Sequence, residues 1–306
     1  MTTLVFGHKS PDTDSTGSPI IWAWYLNQIK GVEAKPILLG EPNTEALFVL
    51  DRWSLDKPEI VATVDADTPV VIVDTNNPAE LPDGINAADI RQIIDHHKLV
   101  GGLETAGPID IRIEPLACTA TIMWKMIGAH MAQAPAAVKG AMLSCILSDT
   151  LEFRSPTTTQ EDKAIAHDLA KDLGVDIPSY AAEMFAAKSD VSAFSEAELL
   201  RMDSKEYELG GKQFRISVLE TTSPDQILSR KDALMGAMPG VAAEDGAEQV
   251  MLFVIDILKE EATLLVPNDL VKSVAEQSFG ATVTGDAVIL PGIMSRKKQI
   301  IPNLKV

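Results

Sequence analysis

Short, almost unbroken apolar runs alternate with longer segments of helical period through the first half of the chain. Leu4-Val5-Phe6 reads as a strand, Lys35 to Leu39 and Pro69 to Asp74 as buried strands of a parallel sheet, and Ile90 to Ile94 as a shorter, less apolar candidate. Ser18-Pro19 reads as a helix start, a cap followed by proline in the first turn. Thr119 to Met131 and Ala136 to Leu147 are helical by period. Thr158-x-x-Glu161 reads as a capping box that opens a third helix, running to Leu173 and stopping at Gly174. Strands separated by helices predict an α/β fold: an N-terminal doubly wound domain with a mainly parallel sheet.

Past Lys188 the pattern changes. Residues 189–195 are small and polar and read as a linker, so the expected division is 1–188, linker 189–195, and 196–306. Beyond it, Tyr207 to Phe214 resembles a hairpin around Gly210-Gly211. Val250 to Leu258 and Ala262 to Val266 form a second strand pair around Lys259-Glu260-Glu261. Helices expected at Asp225 to Met238 and Asn268 to Phe279 complete a smaller C-terminal α/β domain with a mixed sheet.

Composition supports two cores. The chain has 306 residues, of which 46% are hydrophobic, so neither disorder nor a single small core is expected. Met1-Thr2-Thr3 leads straight into an apolar run without a basic region, so no secretory leader is expected. The most apolar later stretch, around Val250 to Leu258, is interrupted by Asp256 and too short to span a bilayer. Cys118 and Cys145 sit among apolar helical neighbours and read as buried free thiols, which fits a reducing, cytoplasmic location. The formal net charge of −18 argues against nucleic acid or an anionic membrane as partner. An anionic substrate would need metals or a local basic group to reverse that field.

Four short clusters carry candidate chemistry. In Phe6-Gly7-His8-Lys9-Ser10-Pro11-Asp12-Thr13-Asp14-Ser15 one histidine and two aspartates follow a strand, in what reads as the loop at its C-terminal end, where open α/β sheets place ligands. Carboxylates suit hard divalent cations and the imidazole adds a softer ligand. Asp74 ends the most apolar strand; it reads equally as a group paired with a cation or as the cap of a turn with Asn76-Asn77-Pro78. Asp95-His96-His97 also ends a strand and suits one metal-binding imidazole oriented by its neighbours. Ser148-Asp149-Thr150, at the end of an apolar helix, is weak by itself. Together the clusters bring two histidines and four aspartates to the ends of different core elements. Near the C-terminus, Arg296-Lys297-Lys298 is a cationic exception in an acidic chain, and without interleaved aromatics it suits an oxyanion clamp better than a nucleic-acid platform.

The order Gly-His-x-x-Pro-Asp-Thr-Asp-Ser, a strand-end Asp, Asp-His-His and Ser-Asp-Thr resembles the DHH phosphoesterase superfamily. The ending Ser295-Arg296-Lys297-Lys298-Gln299 is similar to that of the family II, manganese-dependent inorganic pyrophosphatases, and the resemblance spans essentially the whole chain. It implies that His8 and Asp12 bind one metal, Asp14, His96 and Asp149 the other, and that Asp74 bridges them. His97 would be the non-ligand histidine that contacts substrate, while Lys205, Ser295, Arg296 and Lys297 would grip the phosphates. His97, Asp14, Lys205, Arg296 and Lys297 are thereby the expected catalytic groups. The implied activity is hydrolysis of inorganic pyrophosphate to two phosphates by a metal-bridged hydroxide at a two-metal site between the two domains. Two Mn²⁺ per subunit are implied, with Co²⁺ able to substitute and further Mg²⁺ or Mn²⁺ arriving with substrate. A homodimer through the N-terminal domain is also implied. One departure stands out: the family usually continues its strand-end Asp with His-Asn-Glu, where this chain has Thr75-Asn76-Asn77.

Overall fold

The computed structural model describes residues 1–189 and 191–305. The chain divides into two compact units, Met1–Met184 and Phe185–Val306.

The first unit is built on a parallel sheet of six strands, among the described residues: β1 (Thr3–Phe6), β2 (Ala34–Leu38), β3 (Glu59–Ile60), β4 (Pro69–Val73), β5 (Asp89–Asp95) and β6 (Asp110–Ile113). Their spatial order is β3-β2-β1-β4-β5-β6, and every pairing is parallel. The order reverses between β1 and β4, so the carboxyl ends of those two strands open a crevice, where open α/β sheets bind ligands. All five residues of β4 are buried, as its unbroken apolar run requires. The helices are α1 (Thr13–Tyr25), α2 (Thr44–Arg52), α3 (Thr119–Ile127), α4 (Ala136–Thr150), α5 (Gln160–Leu173) and α6 (Ile177–Ser189), and the division between the units falls within α6. From Gly140 to Ser148 every residue of α4 is buried, which explains why its sequence is apolar around the whole circumference.

Two expected helix starts are corrected. Helix α1 begins at Thr13, not at Ser18-Pro19, because the Asp12 side chain accepts the Ser15 backbone N–H and caps it there. Asp14 therefore lies in the first turn of a helix rather than in a loop, and Pro19 lies inside the helix. Helix α5 is capped by Thr159 with Asp162, one residue later than the expected Thr158 and Glu161. The run Thr157-Thr158-Thr159 permits either register, and the tertiary partners of the fully buried Asp162 choose between them. The expected helix Thr119 to Met131 is α-helical only to Ile127 and continues as a 3₁₀ turn, Gly128–Gln133.

In the second unit α7 (Glu196–Met202) precedes β7 (Ser204–Leu209) and β8 (Lys212–Thr221), followed by α8 (Pro224–Leu228), α9 (Lys231–Glu244), β9 (Gln249–Asp256), β10 (Glu261–Leu265), α10 (Asp269–Phe279) and β11 (Ala287–Pro291). The sheet order is β11-β10-β9-β8-β7; β8 and β9 are parallel and the other pairs antiparallel, so the sheet is mixed. The expected helix Asp225 to Met238 is two helices, broken at Arg230, whose guanidinium bonds to the Val191 and Phe194 carbonyls and to Glu196. Of the expected linker 189–195, Asp190 lies outside the described residues, Val191 is buried in the core of this unit and Ser195 caps α7. No helix among the described residues is long and apolar enough to cross a membrane.

Candidate metal centre

Six of the residues singled out from sequence meet at the carboxyl ends of β1, β4 and β5. Gly7 sets the first turn: a Cβ there would lie 1.9 Å from Ser15 Oγ, so only glycine lets the chain pass so close to α1. That hydroxyl accepts the His8 backbone N–H at 2.8 Å. Asp12 uses Oδ1 to cap α1, and its Oδ2 lies 3.6 Å from His8 Nε2. Asp74 follows β4 with φ of 58°, a left-handed backbone costing about 1–2 kcal/mol in an ordinary L-residue, though Asp tolerates it better than most. Its N–H bonds to the Ile94 carbonyl of β5, so the sheet itself holds the turn. Asp74 Oδ2 then faces His8 Nε2 at 3.4 Å, while Oδ1 faces His96 Nε2 at 3.4 Å and His97 Nδ1 at 3.9 Å. One carboxylate thus lies between a histidine from β1 and the histidines from β5.

Asp149 arrives from the other direction, on the last turn of α4. Helices α1 and α4 approach closely at Gly17, where a Cβ would lie 2.5 Å from Cys145 Sγ. The close contact lets Asp14, on α1, and Asp149, on α4, converge. His8, Asp12 and Asp74 offer ligand atoms within 4.8 Å of one another; so do Asp14, His96 and Asp149, and so do Asp74, His96 and His97.

The electrostatics of this cluster favour a cation. Burial, and after it the charges of Asp14 and Asp12, push the Asp74 carboxyl well above the usual carboxylate range. Burial and the charges of Asp14, Asp12 and Asp74 do the same to Asp149, against a smaller downward pull from a Cys118 hydrogen bond. Asp74 Oδ2 and Asp149 Oδ2 are buried without a hydrogen-bond partner among the described residues. Four carboxylates and two imidazoles, with two buried oxygens that lack a hydrogen-bond partner among the described residues, fit divalent cations. His8, Asp12 and Asp74 would hold one, Asp14, His96 and Asp149 the other, with Asp74 between.

Partners around these groups fix their orientation. His96 Nδ1 faces the Leu116 carbonyl at 3.2 Å, which leaves Nε2 toward Asp74. Asp14 accepts from the Ser18 hydroxyl at 2.6 Å and from the Thr119 N–H at 2.7 Å. His97 Nδ1 and backbone N–H both meet Asp95 Oδ1, at 2.8 and 3.0 Å. Burial would raise the pKa of Asp95, but the His97 bond and charge, the His96 charge and the Asn76 bond outweigh it and hold the group well below the carboxylate range. In Thr75-Asn76-Asn77, Asn76 is central. Its amide donates to Asp95 and to the Lys98 carbonyl and accepts the Val100 N–H, while Thr75 donates to Glu80 at 2.7 Å. Sequence reading missed Thr119, Ser18 and Leu116 as partners of the ligands. Nothing local marks the Thr119 N–H or the Leu116 carbonyl as belonging to a distant aspartate or histidine, whereas Ser18, one helical turn from Asp14, was hidden because Asp14 read as part of a loop.

The other singled-out residues lie in the second unit. Ser295 caps a short turn, Arg296–Ile300, through the Lys298 N–H, and Gln299 binds its entrance, accepting from the Met294 and Ser295 N–H groups and donating to the Gly292 carbonyl. The Arg296 guanidinium bonds to the Asp203 carbonyl at 3.0 Å and pairs with its carboxylate at 2.7 Å. Lys205 is on β7, two residues after Asp203.

The match to known proteins covers both units. Residues 2–149 match the DHH family, N-terminal domain, and residues 182–306 match the DHHA2 domain. A protein of Deinococcus radiodurans named "Probable manganese-dependent inorganic pyrophosphatase" is 41% identical over 307 residues, covering 98% of this chain and 97% of that protein. One of Lactobacillus acidophilus with the same name is 36% identical over 304 residues, with the same coverage. This chain belongs to the family of manganese-dependent inorganic pyrophosphatases. A crystal structure of a Methanococcus jannaschii protein assigned to the family II inorganic pyrophosphatases superposes with a TM-score of 0.85 at 32% identity, covering 99% of this chain and 98% of that one. An exopolyphosphatase-related protein of Bacteroides fragilis, at TM-score 0.52 and 14% identity, shares the fold alone. Family membership gives the clustered histidines and aspartates a chemical context.

Proposed function

We propose that this chain hydrolyses inorganic pyrophosphate to two phosphates, with two Mn²⁺ ions held by His8, Asp12, Asp14, Asp74, His96 and Asp149. The observation that carries the reading is Asp74, which lies within 3.4 Å of a histidine on each side and keeps a buried oxygen with no hydrogen-bond donor among the described residues. The names of the relatives support pyrophosphate as substrate. Two histidines among the ligands favour Mn²⁺ or Co²⁺ over Mg²⁺, which prefers an all-oxygen shell; further Mg²⁺ or Mn²⁺ would enter with the substrate. When bound, such a pair of ions acidifies a water molecule to hydroxide near neutral pH and draws charge from phosphoryl oxygens.

The side chains do the rest. Asp95 accepts the His97 Nδ1–H, which fixes the ring and leaves Nε2 for a phosphoryl oxygen. Lys205, Ser295, Arg296 and Lys297 supply the donors and positive charge that neutralise the departing phosphate, with Asp203 holding the Arg296 fork in one orientation. Phosphoryl transfer needs positioning and charge stabilisation more than covalent catalysis, so no phosphoenzyme is expected. In this reading residues 1–188 carry the metals and 196–306 the phosphate donors. We further propose a cytoplasmic homodimer joined through the first unit. The free, buried Cys118 and Cys145 suit a reducing compartment. Edge strand β6, with Ile111 53% exposed, offers a pairing surface.

Purified protein should release phosphate from pyrophosphate in the presence of Mn²⁺, far faster than from ATP or from a dinucleotide. Comparable turnover of a dinucleotide would assign the chain to phosphodiester cleavage instead, and no turnover of any of the three would leave only metal binding.

A further inference from the structure

From the loop after β6 into the first residue of α3, a short stretch touches one candidate ligand after another. The Leu116 carbonyl oxygen lies 3.2 Å from His96 Nδ1. The Thr119 N–H donates to Asp14 Oδ2 at 2.7 Å, and its hydroxyl reaches Asp74 Oδ1 at 3.4 Å. Between them lies the fully buried Cys118, whose thiol neighbours the Asp149 carboxylate. Residues 116–119 therefore contact four of the six candidate ligands without being ligands themselves.

A loop of this kind would ordinarily move, and its contacts would be worth little to the ligands. Here it is tied down from behind by Asp162, which is fully buried. One carboxylate oxygen accepts the Ala117 N–H at 3.2 Å and the other accepts the Thr121 hydroxyl at 2.7 Å. The same carboxylate accepts the Thr159 N–H and hydroxyl at 2.8 and 2.6 Å as half of the α5 capping box. Capping boxes normally sit at the surface, and a cap needs neither burial nor bonds to Ala117 and Thr121. Those two bonds serve the loop, not the helix.

We propose that residues 116–119, anchored by Asp162 through Ala117 and Thr121, form a positioning strap that holds His96, Asp14, Asp74 and Asp149 in register for the cations. The proposal rests on the two-metal reading of the cluster. Its physical basis is preorganisation: four mutually repelling carboxylates spread apart unless something outside the cluster holds them, and each such rearrangement must be reversed when a cation binds. Partners of metal ligands are commonly worth 10–100-fold in metal affinity, and here one anchor serves several ligands at once.

Calorimetric titration of the metal-stripped full-length protein with MnCl₂ tests the strap. The wild type should take up two equivalents per chain. Thr121→Val removes one anchoring bond with almost no change of shape, and Asp162→Ala removes the anchor entirely. Both should weaken the uptake of both equivalents by on the order of tenfold, and Thr121→Ser should restore it. Thr159→Ala takes the capping hydroxyl from α5, and with it one bond to Asp162, but leaves the Asp162 bonds to Ala117 and Thr121 in place; it should lower Tm and leave Mn²⁺ affinity unchanged. If Asp162→Ala does not fold, the Thr121 pair decides. Wild-type affinity in Thr121→Val, failure of Thr121→Ser to restore, or an equal loss in Thr159→Ala would overturn the strap. If the wild type itself takes up no Mn²⁺, the two-metal reading fails, and the strap with it.

Discussion

At Asp74 three unfavourable features coincide: a left-handed backbone, burial, and an oxygen without a hydrogen-bond donor among the described residues. Residues strained in this way persist where function requires them. Replacing Asp74 by Asn removes the buried charge and keeps a side chain that tolerates the left-handed region. The metal-free Asp74→Asn protein should therefore melt at a higher temperature than the metal-free wild type, yet bind neither Mn²⁺ equivalent normally; unchanged stoichiometry and affinity would show that Asp74 does not lie between two ions. Asp74 and Asp149 both have raised carboxyl pKa values. An acid raised on folding binds more protons in the folded state, so its contribution to stability falls as pH rises past the ordinary aspartate range. Metal-free wild type should thus lose Tm between about pH 5 and pH 8. Saturating Mn²⁺, which binds the ionised form, should flatten or reverse the slope; a metal-free Tm that rises over that range would contradict the assignment.

The elements of the first unit were largely legible in the sequence, because buried parallel strands and a fully buried helix write themselves as unbroken apolar runs. Strand β4 and helix α4 carry that signature in full, and β1, β2 and β5 in part; each, β2 excepted, delivers at its carboxyl end a residue singled out from sequence. Less legible were the places where tertiary contacts choose among equal local options. Three consecutive threonines allow two registers for the start of α5, and only the buried bonds of Asp162 select one. Asp12 read from sequence as a ligand, and the structure also makes it a helix cap, with one oxygen on the Ser15 N–H and the other near His8. Short edge strands such as β3 and β6 carry too few residues to show a period. In the second unit the basic turn Arg296–Ile300 depends on Gln299, which makes hydrogen bonds to three backbone groups at its entrance. Gln299→Ala should raise KM for pyrophosphate by about tenfold or more, two or three hydrogen bonds each being worth about 1 kcal/mol, while leaving Mn²⁺ uptake unchanged. A change in Mn²⁺ uptake instead would remove the turn from substrate binding.

For the whole molecule, the chemistry is divided by sequence: every candidate metal ligand precedes residue 150, and Lys205, Ser295, Arg296 and Lys297 follow residue 200. Lys205→Ala and Arg296→Ala should each spare both Mn²⁺ equivalents and weaken substrate binding, turnover or both; loss of metal in either variant would break that division of labour. If the proposed dimer pairs through β6, Ile111→Lys, which places a charge on that exposed edge strand, should give a monomer in sedimentation, with the metal stoichiometry per chain intact. The origin of Asp149 has a further consequence for anyone who would redesign the centre. Five of the six candidate ligands lie at the carboxyl ends of sheet strands, in turns or the first helical turn that grafting could exchange, but Asp149 is carried in on a helix whose preceding turns are wholly interior. Transplanting the turns onto another sheet of the same strand order would reproduce most of the ligands and still lack one. Altering the approach of Asp149 means repacking the middle of the unit, which makes that ligand the least evolvable of the set.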